Sequence, residues 1–536
     1  MKLINLKNFK AGLVLATLLP ATVYVLPARA QTDFKRLELK EKDYKSLVVA
    51  NVGNMKITAQ EFMTSYEFGP AFVRREKNSL RRYLDFMINE KLLAFEGYSR
   101  GLDSTLEVSA ILSDIEGDLV TEELYRKNIW DKLSVSNLEI EKGIEKERVK
   151  LQLRWIYKTS FDGIKEVYDS LRRGTSFDTL FNAQFGNGLK FEERYLESTA
   201  FSLGKKNPLL AAIVDTMAPG GLTPPVQTPD GYYILKLENI WRSVITTETE
   251  MEKLRYEVNR ALIKEKADSL SDKFVNNVLL REKPVIIRET LNILKAYLAK
   301  KILGEEKYNE WDVAKNIRPV YPGFNPEVMA PYEKNTLIEK KSGNVKLEDF
   351  LRWYKTREPY ITLEKSSHQA FFLSLQGVVW RMLRDVLLTR LAFSQGLGKK
   401  EEVRLQKKWW MDKLVYSKMK LEIASSIKIK EAEMKAFYNE YAHRYKDEKG
   451  NLKPFDEVKD EVRNDLYSYE YVKKVVGKIM GLKEKIPVKI NEDLLNRLPV
   501  SDKEDPGAID VYSVKNGGTF LRQAYPVIDY EWQFWN

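Results

Sequence analysis

No cysteine occurs in the 536 residues. That absence removes disulfides, thiolate metal sites, cysteine nucleophiles and an acylated lipoprotein anchor. Histidine is almost as scarce. The only two, His368 and His443, lie far apart in the second half of the chain, so neither a metal centre nor a local acid–base pair is expected. The N-terminal apolar run AGLVLATLLPATVYVL has 16 residues and contains Pro20, short of the roughly 20 needed to cross a bilayer. Charge of one sign is lacking too, because acidic residues are interspersed among the basic ones along helical stretches. That mixture reads as solvated helix faces, so no nucleic-acid groove is expected.

What is present starts with a leader. MKLINLKNFK is basic, the apolar run follows, and Pro27-Ala28-Arg29-Ala30-Gln31 supplies small residues at the −3 and −1 positions. A signal peptide over residues 1–30, cleaved after Ala30, is expected. Lys2, Lys7, Lys10 and Arg29 lie in that leader, and their removal lowers the formal charge from +11 to +7. The remaining mild excess favours acidic partners or a transient contact with an anionic membrane surface. An exported chain without disulfides must be held by ordinary cores, and 43% hydrophobic residues suffice for several.

Periodicity divides the rest. The β-branched run 47–53 is followed by a helix start at Ile57-Thr58-Ala59-Gln60-Glu61-Phe62, with Thr58 as N-cap and Glu61 three residues on. Helices are expected over 79–100, ending at Gly101, over 107–128, and over 136–147 with Ser136 and Glu139 as a capping box. A mixed segment over 148–242 reads strand, helix, helix, loop, short helix, strand. A long helix then runs from Glu248 to about Arg281, before the short strand Pro284-Val285-Ile286-Ile287.

The second half repeats the first. Val345-Lys346-Leu347-Glu348-Asp349-Phe350 matches Ile57–Phe62, and Leu391-Ala392-Phe393 through Gly396 matches Leu93-Ala94-Phe95 through Gly101. Ile429–Met434 matches Val135–Ile140, and PVKINEDLL at Pro487 mirrors PVIIRETLN at Pro284. In place of the mixed segment, the second copy has only a polar turn around 446–458. A duplicated helical unit with one inserted domain accounts for the order. The expected divisions are a helical segment over 45–147, the mixed domain over 148–242, and a returning helix and strand completing the first unit over 246–300. A Pro-rich linker over 301–341, a second unit over 342–500 and a tail over 501–536 follow. The fold class is mainly α with an inserted α+β domain.

The mixed domain carries a resemblance. Arg154-Trp155-Ile156, Gly174-Thr175-Ser176-Phe177-Asp178-Thr179-Leu180, Phe201 with Gly204 and Pro208, Pro219-Gly220, and Gly231-Tyr232-Tyr233-Ile234-Leu235 resemble a parvulin-type peptidyl-prolyl isomerase domain. The flanking helices resemble the SurA/PpiD group of periplasmic chaperones, which implies SurA-like helical units, the first hosting the parvulin-like domain. In parvulins, catalysis of a rotation with a barrier of about 20 kcal/mol is attributed to an apolar proline pocket beside a hydrogen-bonded histidine pair. The resemblance places those histidines at Trp155 and Tyr233, and an indole only donates, so the pair cannot be reproduced. It also places Lys206 and Leu210 at pocket positions, where the family has Met and Phe. No Asp or Cys equivalent appears in 185–190.

The function implied is a periplasmic holdase chaperone for unfolded secreted chains, outer-membrane proteins foremost, with a catalytically degenerate parvulin-like domain and no cofactor or metal. Two alternatives stand beside it: a working prolyl isomerase with an altered site, and a structural subunit of an envelope assembly complex. Adaptable aromatic and Met side chains suit varied clients. The candidates are Tyr66 and Phe72 in the first unit, and Trp353, Trp380, Trp409 and Met411 in the second.

Overall fold

Helix boundaries fall where the sequence supplies caps. The computed structural model describes residues 45–74, 78–185, 195–228, 231–244, 247–500 and 522–534. The expected leader, its cleavage point and the loop 186–190 lie outside them. After β1 (Val48–Val52) and β2 (Met55–Thr58), helix α1 (Ala59–Phe68) starts at Thr58, whose hydroxyl accepts the Glu61 N–H at 3.2 Å. The Glu61 carboxylate turns inward to Lys91 at 2.6 Å, so the box stays half made. Helix α2 (Ser79–Ser99) stops before Gly101, which takes a left-handed φ of 70°. Helix α3 (Leu106–Asn128) precedes α4 (Asn137–Arg148), where Ser136 and Glu139 form the complete box.

The mixed domain consists of β3 (Val149–Lys158), α5 (Phe161–Arg172), α6 (Phe177–Phe185), β4 (Leu196–Thr199), α7 (Ala200–Lys206), α8 (Pro208–Val214), β5 (Val226–Thr228) and β6 (Gly231–Arg242). Its strands form one antiparallel sheet in the order β4-β3-β6-β5. Strands β4 and β5 and helix α7 add to the outline expected from sequence. They are too short for periodicity to mark. Helix α9 (Glu248–Glu282), capped by Thr247, then leads through β7 (Val285–Ile286) to α10 (Arg288–Ile302).

The second repeat runs β8 (Thr336–Glu339), β9 (Val345–Lys346), α11 (Leu347–Lys355), α12 (His368–Ser394), α13 (Glu401–Ser425), α14 (Glu431–Glu440), α15 (Lys459–Lys485), β10 (Val488–Ile490) and α16 (Glu492–Arg497). In order these correspond to β1, β2, α1, α2, α3, α4, α9, β7 and α10. Gly396 even reproduces the Gly101 turn, with φ 72°. Between α14 and α15, a turn bridged at Lys446 and Leu452 stands where the first repeat carries the mixed domain.

The repeats do not close on themselves. From sequence, the strand at Pro284 is expected to complete the first unit. It pairs instead with β8, Ile286 opposite Ile338, while β1 pairs with β10, Val52 opposite Val488. The exchange is reciprocal down to the next bond, Ile287 N–H to Leu337 O at 2.9 Å and Asn491 N–H to Val49 O at 2.8 Å. Two compact units result among the described residues: a central one spanning Leu124–Leu388, and a terminal one joining the residues up to Glu123 to those from Thr389 onward. The terminal core mixes Val49, Ile57, Phe62 and Leu92 with Val415, Met419, Val475 and Ile479. Gly97 lets α2 and α13 touch, since a Cβ there would lie 2.5 Å from the Val415 side chain. Both closing strands follow a proline and offer the same apolar edge, so local sequence does not choose between partners.

The segment 301–341 differs from the expected linker. Tyr308, Val313, Ala314, Ile317 and Met329 are buried in the central core beside Leu337 and Phe350, so its prolines turn a packed chain. No helix among the described residues is long and apolar enough to cross a membrane.

Candidate functional site

The sheet of the mixed domain has two faces, and the alternation of β3 sorts its residues between them. Arg154 and Ile156 face α5 and α6. The Arg154 guanidinium, almost fully buried, pairs with Asp178 and, through Nε at 2.6 Å, with Glu238, and lies over the Phe177 and Phe181 rings at 5.3 and 5.4 Å. Thus the motif residues that survive here, Arg154, Phe177 and Asp178, are those that tie helix α6 to the sheet. Leu151, Leu153 and Trp155 face the other way, onto Leu203, Leu210, Ala211 and Val214 of α7 and α8.

That second face holds the positions that the resemblance assigns to chemistry. Trp155 stands opposite Leu235 and Tyr157 opposite Tyr233, with the two tyrosine rings 5.0 Å apart. Trp155 is half-buried against the α7–α8 core, and Tyr233 is only 8% exposed. Leu210 is buried in the same cluster, its N–H capped by Asn207 at 3.1 Å. Lys206 departs from expectation. It is exposed at the end of α7, so its ammonium keeps its water and enters no proline pocket.

The candidate client-binding side chains are placed in cores. Tyr66 is 1% exposed and hydrogen-bonds Ser79 at 2.9 Å; Trp353 is buried with Arg357 over its ring at 4.9 Å; Trp409 is buried. Phe72, Trp380 and Met411 are half-buried and pack against the same cores. An apolar stripe at helical spacing looks the same whether it meets a neighbouring helix or a client, and here neighbouring helices take it. The large apolar side chains that do reach solvent were not marked by periodicity. On the mixed domain they include Phe161, Leu209, Ile240, Trp241 and Val244, the last 79% exposed.

His368 also serves packing. His368 stacks on Trp311 at 5.9 Å, with the Lys295 ammonium 3.2 Å from its Nε2. Burial lowers the pKa of both, and each is held down further by nearby positive charge, Lys295 beside His368 and Arg288 beside Lys295. Among the described residues no cluster of three or more His, Cys, Asp or Glu could hold a metal ion.

A dense cluster of buried charge was not anticipated. In the terminal unit Lys91 lies between Glu61 at 2.6 Å and Asp412 at 2.5 Å, and Tyr98 donates to Asp412 at 2.6 Å. Beside it, Glu90 accepts from Lys413 at 2.8 Å, from the Asp529 N–H at 2.9 Å and from Trp532 Nε1 at 3.0 Å. Asp529 in turn meets Lys413 at 2.7 Å, Lys420 at 2.6 Å and Tyr416 Oη at 2.7 Å. Burial raises the Glu61 and Glu90 carboxyls, while two facing carboxylates raise Lys91 against the cost of its burial. A cavity of about 40 Å³ remains between these groups and residues 526–528, room for about one water.

A pH dependence follows for the C-terminal contact. Burial pushes the Asp529 carboxyl up, but Lys413 and Lys420 outweigh it and hold the group below its ordinary 3.8. A depressed carboxyl contributes stability that is complete above its unfolded pKa and lost as pH falls through the folded one. Amide protection of residues 525–532 is therefore expected to lose the Asp529 contribution only below about pH 4. Asp529→Asn should weaken the contact at pH 7 by about 1.5–3 kcal/mol and flatten the acid response. Hydrogen exchange read by mass spectrometry checks both.

No protein-family model matches the chain, and no curated protein matches it. Among solved structures it is similar to the peptidylprolyl isomerase PrsA of Bacillus anthracis, at 18% identity over 29% of this chain and 69% of that one, with a TM-score of 0.21. It is similar to PrsA of Bacillus subtilis at 18% identity, covering 42% of this chain and 92% of that one, with a TM-score of 0.15. For the foldase protein PrsA of Streptococcus pneumoniae the values are 14%, 43%, 94% and 0.20. At identities and TM-scores this low the likeness transfers no activity, and what this chain does rests on its own residues.

Proposed function

We propose that this chain is an exported holdase chaperone of the SurA/PpiD kind, acting in the periplasm on unfolded secreted chains and outer-membrane proteins. Its parvulin-like domain binds without catalysing. The observation that carries this reading is the face of that domain. Where a hydrogen-bonded histidine pair would sit, Trp155 packs into an apolar layer with Leu210, Tyr233 is buried against the Tyr157 ring, and Lys206 lies in solvent. Proton-handling groups typically contribute 10²–10⁴-fold, and this layer offers none of the histidine kind. Exposed apolar side chains on the same domain, among them Trp241 and Val244, suit contact with unfolded chains, whose shielding slows aggregation without a covalent step.

A refolding substrate limited by prolyl isomerisation tests it. The chain is expected to speed the slow phase by less than about tenfold at micromolar concentration, against the gain that a general acid–base pair supplies, and to suppress aggregation of the same substrate. Acceleration of a hundredfold or more by the wild type, abolished by Tyr233→Phe, would instead establish a working isomerase.

A further inference from the structure

The last described segment, residues 522–534, lies on the terminal unit in a way that invites replacement. Among the described residues it adds no strand to the three sheets, and Gln523 alone makes an isolated bridge. Side chains make its principal attachments. Tyr525 meets Phe68 at 4.9 Å, Tyr530 stands edge-on to Phe72 at 5.5 Å, and Trp532 stacks on Phe86 at 5.6 Å. Ile528 and Trp532 are each only 2% exposed. Polar contacts fix the register. The Arg522 guanidinium is buried against Asp118 at 2.8 Å and Glu122 at 2.5 Å, and Asp529 sits between Lys413 and Lys420.

These contacts describe a groove with a chemical preference. Its walls are aromatic rings from α1, α2 and the short helix Ala71–Arg74 between them, and its floor is the Lys413–Lys420 face of α13 beside Glu90. An unstructured chain with Tyr or Trp side chains flanking an acidic residue would satisfy the same rings and the same two ammoniums. The segment is also built as a tethered ligand is. Twenty-one residues, SDKEDPGAIDVYSVKNGGTFL, separate it from Val500, enough when extended to span about 70 Å.

We propose that this groove binds acidic, aromatic segments of unfolded client chains, and that residues 522–534 are its resident occupant, displaced when a client binds. The proposal rests on the chaperone reading above for the identity of the competitor, and on the terminal unit alone for the site. Tethering gives the resident segment an effective concentration in the millimolar range. A client must therefore be locally abundant, or bind elsewhere on the chain as well, to displace it.

The test uses the full chain with a protease site inserted between residues 510 and 515, so that the connection is cut while every contact named above is kept. The probe is a fluorescein-labelled peptide of residues 522–536. After cleavage the chain is expected to keep its circular dichroism and cooperative melting, to exchange its own segment for the probe, and to bind it at least tenfold more tightly than the uncut chain. A probe carrying Asp529→Lys should bind at least tenfold more weakly. Loss of the native segment only together with unfolding overturns the proposal, as does a folded, cut chain that takes up no probe. Aggregation suppression by cut and uncut chains is measured in parallel. Probe exchange without suppression by either removes the client role and the chaperone reading while the groove stands. Suppression without exchange leaves the chaperone reading and removes the groove.

Discussion

Lys91→Met is expected to destabilise the terminal unit by about 3–5 kcal/mol, the cost of breaking a buried ion pair on one side. The Lys91 side chain is 7% exposed and lies within 2.6 Å of carboxylates from two different helices, Glu61 of α1 and Asp412 of α13. Removing the ammonium leaves both carboxylates buried beside each other, with Tyr98 still donating to Asp412. The urea midpoint should fall by about 1–2 M if the slope lies near the upper part of its usual range. The loss should be smaller at pH 5 than at pH 8, because burial already raises the Glu61 carboxyl and a proton can then neutralise it. Combining Lys91→Met with Glu61→Gln and Asp412→Asn should restore much of the stability, since the unpaired charges go together. A single-variant loss below about 1 kcal/mol would show that the cluster is wetter than its burial indicates.

A fragment of residues 45–300 is expected to lose the protection of its β1 amides completely, although it contains the whole first repeat. The reason is the crossed closure. In the full chain β1 is covered by β10, and the core around Val49, Phe62 and Leu92 is completed by Val415, Met419, Val475 and Ile479, all from the second repeat. Burying a Leu or Val side chain contributes roughly 1.5–3 kcal/mol, so losing these four partners is comparable to the whole stability, about 5–15 kcal/mol, of a typical domain. Hydrogen exchange of residues 48–58 reads the outcome directly. Supplying residues 389–536 as a second polypeptide should return protection to those amides. If the fragment alone protects them, its own β7 can substitute for β10 and the exchange is optional.

Much of the local structure was legible because it is encoded locally. Ser136 and Glu139, Thr58, Thr247 and the glycines at 101 and 396 set helix ends through contacts a few residues long. The repeat was legible for the same reason, since each copy spells out the same order of caps, helices and Pro-led strands. The replacement of both expected histidines by Trp155 and Tyr233 was legible as residue identity. Lys206 was misplaced because an alignment gives a position along α7 and says nothing of which side of the helix meets the pocket.

The core placement of the client-binding candidates was not legible for a related reason. Tyr66, Trp353 and Trp409 are aromatic positions on amphipathic helices, and period alone does not reveal what lies opposite. Glu61, Glu90, Lys91, Asp412 and Lys413 looked like members of solvated charged faces, and no periodic signal separates a buried carboxylate from an exposed one.

The sequence by itself determined the elements, their caps, the duplication and the absence of a histidine pair, because each depends on residue type and short spacing. Only the tertiary structure decided which closing strand meets which hairpin, which charges are buried, and where residues 522–534 come to rest. Those outcomes turn on contacts between residues hundreds of positions apart, Val52 with Val488, Lys91 with Asp412 and Glu90 with Trp532. The competing arrangements use the same local sequence, so the difference lies in the burial that the assembled units provide.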